Sequence, residues 1–399
     1  MENSKQKKTP TFKTAEVVTL VIITCIVSLI MGIIISKPDK TKDYKLVAAD
    51  EEIQEFIEQY NYIIDNYYGE VNKKELLKAA LEGMINALGD PYSSYLDETT
   101  SSNFNTTLNG SYEGIGVEIV NDSNNNIIVA KVFENTPASK AGIKSLDVII
   151  GINDKDINGM TTTEFIEYVK KITSSTFKLN LKRGEEKLDV TVSKQVVTLN
   201  SVFSDIINKD NKKIGYIYVS VFAMNTDIQF QTELKKLEQD NIDSLIIDLR
   251  GNSGGHLTSV ENMISQFLDK TKVIYQMEDK EKVTKYYSKG TETKKYPIVV
   301  LVDNESASAS EMMAAALKEA YGATIVGKAT YGKGTVQELQ ENKDTQYKIT
   351  TKKWLTPNGN WINEVGIVPD VDVDLDIKYF SNPIKENDSQ LQKALEVLT

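Results

Sequence analysis

The pattern of apolar and polar positions changes character several times along this chain, and each change marks a boundary. From Val17 to Ile35 no charged residue interrupts an apolar run. At about 1.5 Å per residue, a helix of that length crosses a hydrocarbon core of roughly 30 Å, so the run predicts a transmembrane helix. From Glu51 to Leu88 apolar residues recur at helical spacing, first from Ile53 to Ile64 and then from Leu76 to Leu88, with a break near Gly69. That spacing predicts a helical pair, the second member ended by Gly89-Asp90-Pro91. The face from Ile53 to Ile64 would serve a homodimer, although such a face is more often core; a regulatory partner is a separate expectation.

Beyond Asn109 the helical period gives way to short alternating runs: Gly114 to Val120, Ile127 to Phe133, Asp147 to Ile152 and Lys178 to Val192. One helix, Thr163 to Ile172, interrupts them, and together they predict a small β-rich domain. From Lys213 onward, continuously apolar strands (Ile214 to Val219, Ser244 to Leu249, Ile298 to Val302, Thr324 to Val326) alternate with helices (Ile228 to Gln239, Ser259 to Asp269, Ser310 to Tyr321). Strands that are apolar throughout, each followed by a helix, predict an α/β layer structure whose site gathers at the strand C-terminal ends. The polar, Lys-rich stretch 277–296 reads as a solvated loop or cover. The expected class is therefore multidomain α+β.

Composition narrows the chemistry. At 399 residues and 40% apolar content, the chain can build several cores, and a net charge of −11 with interspersed signs argues against a nucleic-acid or anionic-membrane surface. A single cysteine, Cys25, and a single histidine, His256, exclude a disulfide framework, a Cys/His zinc site and a Cys-His hydrolase. Lys5, Lys7, Lys8 and Lys13 precede the apolar run, which places the N-terminus in the cytoplasm and residues 37 to 399 outside, although Lys37 and Lys40 on the other flank oppose this. A cleaved signal peptide has the same basic flank.

Three segments carry candidate chemistry. The strand Ile298 to Val302 runs into Ser306-Ala307-Ser308-Ala309-Ser310-Glu311 and then a helix. A serine in such a turn lies beside helix N-terminal amides that can hold an oxyanion, although the same residues also read as a plain N-cap. A second strand leads into Thr330-Tyr331-Gly332-Lys333-Gly334-Thr335-Val336-Gln337, where glycines confine a lysine that burial could make a base; a surface lysine in a glycine turn is the alternative. The third is Asp248-Leu249-Arg250-Gly251-Asn252-Ser253-Gly254-Gly255, a glycine loop with free amides at the same strand end.

Taken together and in this order, the three segments resemble the carboxyl-terminal processing proteases, the tail-specific serine protease family (S41), from about Glu51 to Val373. The resemblance implies Ser308 as nucleophile, Lys333 as base and Gln337 as the residue that orients the lysine. It implies an oxyanion hole from Gly254 or Gly255 with the amide of Ala309. Leu88 to Leu96 and Leu355 to Gly359, followed by Gly366 to Asp370, match the family's N-terminal and C-terminal signatures, with roles read as structural; many members carry His where Tyr92 stands, a change read as neutral. The β-rich segment is similar to the PDZ module of these proteases, with Gly114-Ile115-Gly116-Val117 as the loop that receives a terminal carboxylate. Where the family usually shows Arg-Gly and a Gly-Thr turn, this chain has Lys171 to Thr176, which bears on any signalling that depends on that arginine.

The divisions expected are a basic cytoplasmic segment 1–16, a membrane span 17–35, a helical part of the protease body 50–98, a PDZ-like domain 99–196, a crotonase/ClpP-like α/β protease core 197–376 and a tail 377–399. The implied activity is a membrane-anchored, single-pass serine endopeptidase, catalytic part outside the cytoplasm, that needs no metal or cofactor and cleaves a protein or peptide substrate near its C-terminus, with PDZ-mediated capture or gating by the substrate's C-terminal tail. A non-catalytic scaffold and a Ser/Lys amidase are the rival readings.

Overall fold

The computed structural model describes residues 51–342 and 345–399, so the apolar run Val17 to Ile35 lies outside the described residues. Among the described residues no helix is long and apolar enough to cross a membrane. The chain divides into two units, Met1–Ala79 and Ala80–Thr399. In the first, the helix Glu51–Asn66 buries none of its residues, and Ile53, Phe56, Ile57 and Ile63 are all exposed.

The second unit is organised around a six-stranded sheet in the order Val202–Lys209, Lys212–Val219, Ser244–Asp248, Ile298–Val302, Thr324–Gly327, Val371–Asp372. The first pair is antiparallel and every later pair parallel. The strands Ser244–Asp248 and Ile298–Val302 are buried at every position because both faces are covered. Leu245, Ile247, Val300 and Val302 pack with the helices Thr226–Gln239, Leu257–Ile264 and Ala309–Ala316. Ile246, Val299 and Leu301 point the other way, against Leu391, Ala394, Leu395 and Leu398 of the helix Ser389–Leu398. The segment read as a tail thus supplies the cover of the second face.

The helix expected over Ser310 to Tyr321 is α-helical only to Ala316 and widens into a π turn over Leu317–Tyr321. The Lys-rich stretch is a correction of the loop reading: Val273–Glu278 and Val283–Tyr287 pair antiparallel, and Gln276 and Met277 face Leu355 and Trp354 of the long strand Thr345–Leu355. That strand also pairs with Thr335–Asn342 and with Ser94–Leu96, so a second sheet lies over the site.

The small β-rich body has its own sheet: Val117–Asn121, Ile127–Val132, Val148–Ile152, Thr176–Arg183 and Glu186–Ser193. The run Lys178 to Val192 is a hairpin of two strands turning at Gly184, not one strand. Its core is Ile115, Ile127, Val129, Ile152, Phe165 and Leu179 with their neighbours. The helix Thr162–Lys171 starts on a capping box, Thr161 with Glu164. Entry and exit strands, Ser111–Gly114 and Gln195–Thr198, pair with each other, so the body is inserted at one narrow ribbon. Lys170 donates from this helix to Ser102 Oγ at 3.0 Å on the helix Glu98–Asn109.

Candidate active site

The three chemistry-bearing segments meet at the C-terminal ends of neighbouring parallel strands. The glycine loop follows Ser244–Asp248, the serine turn follows Ile298–Val302 and the lysine loop follows Thr324–Gly327. A cavity of about 940 Å³ opens there, and Ser308, Lys333, Gln337, Gly254, Gly255 and Ala309 all line it.

The three serines of the turn have different fates. Ser306 and Ser310 are fully buried, and their hydroxyls donate to the carbonyls of Leu249 at 2.9 Å and Asn252 at 2.7 Å. These bonds fasten the serine turn to the glycine loop. Ser308 stays open to the cavity, held at φ 54° and ψ −111°, a left-handed conformation that a non-glycine residue adopts only when its surroundings enforce it. A sharp strand-to-helix turn of this kind lifts a side chain clear of its neighbours.

What enforces it is a residue to which sequence reasoning assigned no role. Glu311 is completely buried, and its Oε2 accepts the backbone N–H of Ser308 at 2.8 Å and that of Lys333 at 2.9 Å. Its Oε1 accepts from Thr330 Oγ1 and from the Gly332 amide, both at 2.6 Å. One carboxylate therefore joins the serine turn to the lysine loop. The signal was there to read, as an acid in an otherwise Ala/Met helix start.

The lysine loop is clamped from its other side. Trp354 Nε1 donates to the Lys333 carbonyl at 2.7 Å and Trp361 Nε1 to the Gly334 carbonyl at 2.9 Å. A side chain on Gly334 would lie 2.7 Å from Trp361 Nε1, so the indole fits only against glycine. Gly366 of the C-terminal signature sits against the carbonyl of Thr330, whose hydroxyl oxygen accepts the Ile367 amide at 2.7 Å.

With its backbone fixed, Lys333 points its ammonium at the face of Tyr92, 4.9 Å from the ring centroid, and Nζ has no hydrogen-bond or ion-pair partner among the described residues. Burial, then the nearby Lys348 ammonium, push its pKa below the ordinary lysine value, with Asp90 and Glu311 partly opposing. Gln337 shares the cavity, but its Nε2 donates to Thr335 and Thr350 hydroxyls at 3.0 Å each, and no hydrogen bond joins it to the lysine ammonium.

The two expected oxyanion glycines differ. The Gly254 amide already donates to Asn252 Oδ1 at 2.9 Å, while Gly254 O and His256 N pair with Phe222, leaving the Gly255 amide without an acceptor among the described residues. Gly254 matters for space: a Cβ there would lie 2.9 Å from Ser308 Cβ and 3.0 Å from Ala309 N. Arg250 of the same motif faces away from the cavity. It bonds Asp248, Asp388 and Gln390, tying the strand end to the last helix.

In the small body, Gly116 has φ 87°, and a Cβ would overlap Thr136 at 2.3 to 2.5 Å, so only glycine fits. Ile115 is buried beneath the loop and Val117 begins the adjoining strand. Tyr112 lays its ring over Gly114, 2.4 Å from where a Cβ would stand.

Residues 213–373 match peptidase family S41, residues 114–193 the PDZ domain family, and residues 33–100 the family described as activating protease CtpB N-terminal domain. The chain is 36% identical over 352 residues to the carboxy-terminal processing protease CtpB of Bacillus subtilis (strain 168), covering 87% of this chain and 72% of that protein. It is 34% identical over 362 residues to CtpA of the same organism, covering 89% and 76%. Among solved structures it is similar to a photosystem II D1 C-terminal processing protease, with a TM-score of 0.47 and 24% identity over 82% of this chain and 94% of that one. Identity above 30% across most of both Bacillus sequences, with the separate S41 and PDZ matches, places this chain in peptidase family S41 as a carboxy-terminal processing serine protease that carries a PDZ domain.

Proposed function

We propose that the chain cuts polypeptides near their C-termini through a Ser308/Lys333 dyad. The carrying observation is that Ser308 is the one serine of its turn open to the cavity, facing a site that also holds a lysine whose charged form is disfavoured. Neutral Lys333 Nζ takes the Ser308 hydroxyl proton as Oγ attacks the peptide carbonyl carbon. The amides of Gly255 and Ala309 receive the oxyanion. Collapse expels the amine product, which takes the proton back from Lys333, and water then releases the acyl group by the same route. Gln337 holds the Thr335 and Thr350 hydroxyls in the wall of the cavity that also holds the lysine.

The Gly114 to Val117 loop of the PDZ domain would receive the substrate's terminal carboxylate, the tail adding as a strand to the edge of Val117–Asn121. The run Val17 to Ile35, with its basic flank, would anchor the chain with residues 37 to 399 outside the cytoplasm. Protease added to intact cells should then trim the catalytic body; accessibility only after membrane rupture reverses that orientation.

The dyad is tested by peptide hydrolysis from about pH 6 to 10, where histidine and lysine bases differ. Ser308→Ala, Lys333→Ala and Lys333→Arg should be inactive, because arginine stays charged at every working pH. His256→Ala should retain most turnover. A dead His256 variant beside working Lys333 variants overturns the assignment.

A further inference from the structure

Tyr92 belongs to the turn of the Leu88 to Leu96 signature, where the family usually has histidine. The structure puts its ring in the active-site wall, under the Lys333 ammonium. The turn is rigidly placed: Asp90 Oδ1 accepts the Tyr92 amide at 3.1 Å, Asp90 Oδ2 accepts Ser93 Oγ at 2.5 Å, and Ser93 Oγ accepts the Thr350 amide at 3.0 Å. Thr350 also bonds Gln337, so the turn and the wall around the lysine form one connected piece. Burial, with Tyr331 beside it two positions before Lys333, pushes the Tyr92 phenol up to about 12. It therefore stays a neutral phenol across the pH range in which a lysine base works.

We propose that Tyr92 is a positioning residue for Lys333, its ring keeping water off the amine and its π face receiving the ammonium once the proton has been taken. A cation 4.9 Å from a ring centroid is within the range of favourable cation–π contact. The ring thus acts on both protonation states: excluding water favours the neutral amine, and the π face limits the cost of the charged one. Other titratable groups facing the lysine are Lys348 from the long strand, Asp90 from the turn and Glu311 from the serine helix, with Glu305 and His256 elsewhere on the cavity wall. None of them covers the ammonium as the ring does.

The inference rests on the dyad reading, and the experiment separates the two. In the full chain carrying Ser308→Ala, the amine of Lys333 is titrated by the pH dependence of its trinitrobenzenesulfonate labelling, read by mass spectrometry. Matched chains with Ser308 intact give the pH profile of peptide hydrolysis. Tyr92→Phe should keep the labelling midpoint. Tyr92→Ala should raise it by about one unit, as water reaches the amine. Tyr92→Leu, which keeps the wall dry without a π face, should lower it by roughly half a unit or more. Midpoints that stay together in Ala and Leu, or an Ala midpoint that falls, overturn the role of Tyr92. Labelling midpoints that move as stated while the hydrolysis profile stays still uphold the Tyr92 contact and overturn Lys333 as the base.

Discussion

Ser308 and Lys333 are tied together through a single atom, Glu311 Oε2, which accepts both of their backbone N–H groups. The carboxylate reaches neither functional side chain by these bonds. It sets the two backbones from which those side chains depart, and so the geometry of the proposed dyad depends on a buried acid.

Glu311→Gln should therefore damage the site more than its similar shape suggests. The amide nitrogen would face either the Ser308 and Lys333 donors or the Thr330 and Gly332 donors, and hydrogen bonds to a charged group are worth about 1.5–3 kcal/mol each. The expected result is a loss of at least about 2 kcal/mol in urea unfolding and more than tenfold in kcat/KM. Wild-type kcat/KM in the Gln variant contradicts the role given to Glu311.

The depressed pKa of Lys333 gives a signed pH dependence. Activity should rise toward alkaline pH, with its limb below the ordinary lysine pKa of about 10.4. In stability the same group works against the fold at neutral pH. Between the folded and unfolded pKa values the unfolded chain holds the proton and the folded one does not, so stability rises with pH through that window. Lys333→Met should be inactive yet melt higher than wild type at pH 7, with the difference vanishing above the unfolded value.

The Lys348 ammonium, a like charge near Lys333, contributes to that depression. Its removal takes away a like charge, so Lys348→Met should shift the alkaline limb to higher pH and lower turnover at pH 7. A limb that stays in place, or moves down, removes Lys348 from the causes of the depression.

Arg250 predicts a stability effect separate from chemistry. Its guanidinium lies between Asp248 and Asp388, both almost fully buried. Arg250→Ala leaves two buried acids facing each other and should cost about 3–5 kcal/mol, measured by urea unfolding. Loosening of the last helix should show as faster amide exchange in Ser389–Leu398.

The PDZ loop predicts discrimination between a free acid and an amide. A peptide with a free C-terminal carboxylate should bind more tightly than its amidated form, because the amides of the loop lose their anion. Gly116→Ala, which meets Thr136 and a positive φ, should abolish the difference. Equal binding of acid and amide by the wild-type chain removes the loop from tail capture.

The sequence by itself determined whatever local periodicity and motif spacing encode. The central strands Ser244–Asp248 and Ile298–Val302 were legible because burial on both faces makes them apolar at every position, and the PDZ glycine loop because its backbone tolerates no side chain at Gly116. Ser308 and Lys333 stood out through flanking small residues, which record how tightly other chains of atoms approach them. The hairpin Thr335–Asn342 with Thr345–Leu355 was hidden, since its half-exposed strands mix Thr, Lys and Gln and lack an apolar run. So was the helix Ser389–Leu398, whose apolar stripe has meaning only once a second sheet face needs cover. Which serine opens to the cavity, which glycine amide is left without an acceptor, and which aromatic faces the lysine were decided by tertiary structure alone. Each depends on hydrogen bonds between segments far apart in the chain, and neither periodicity nor propensity carries that information.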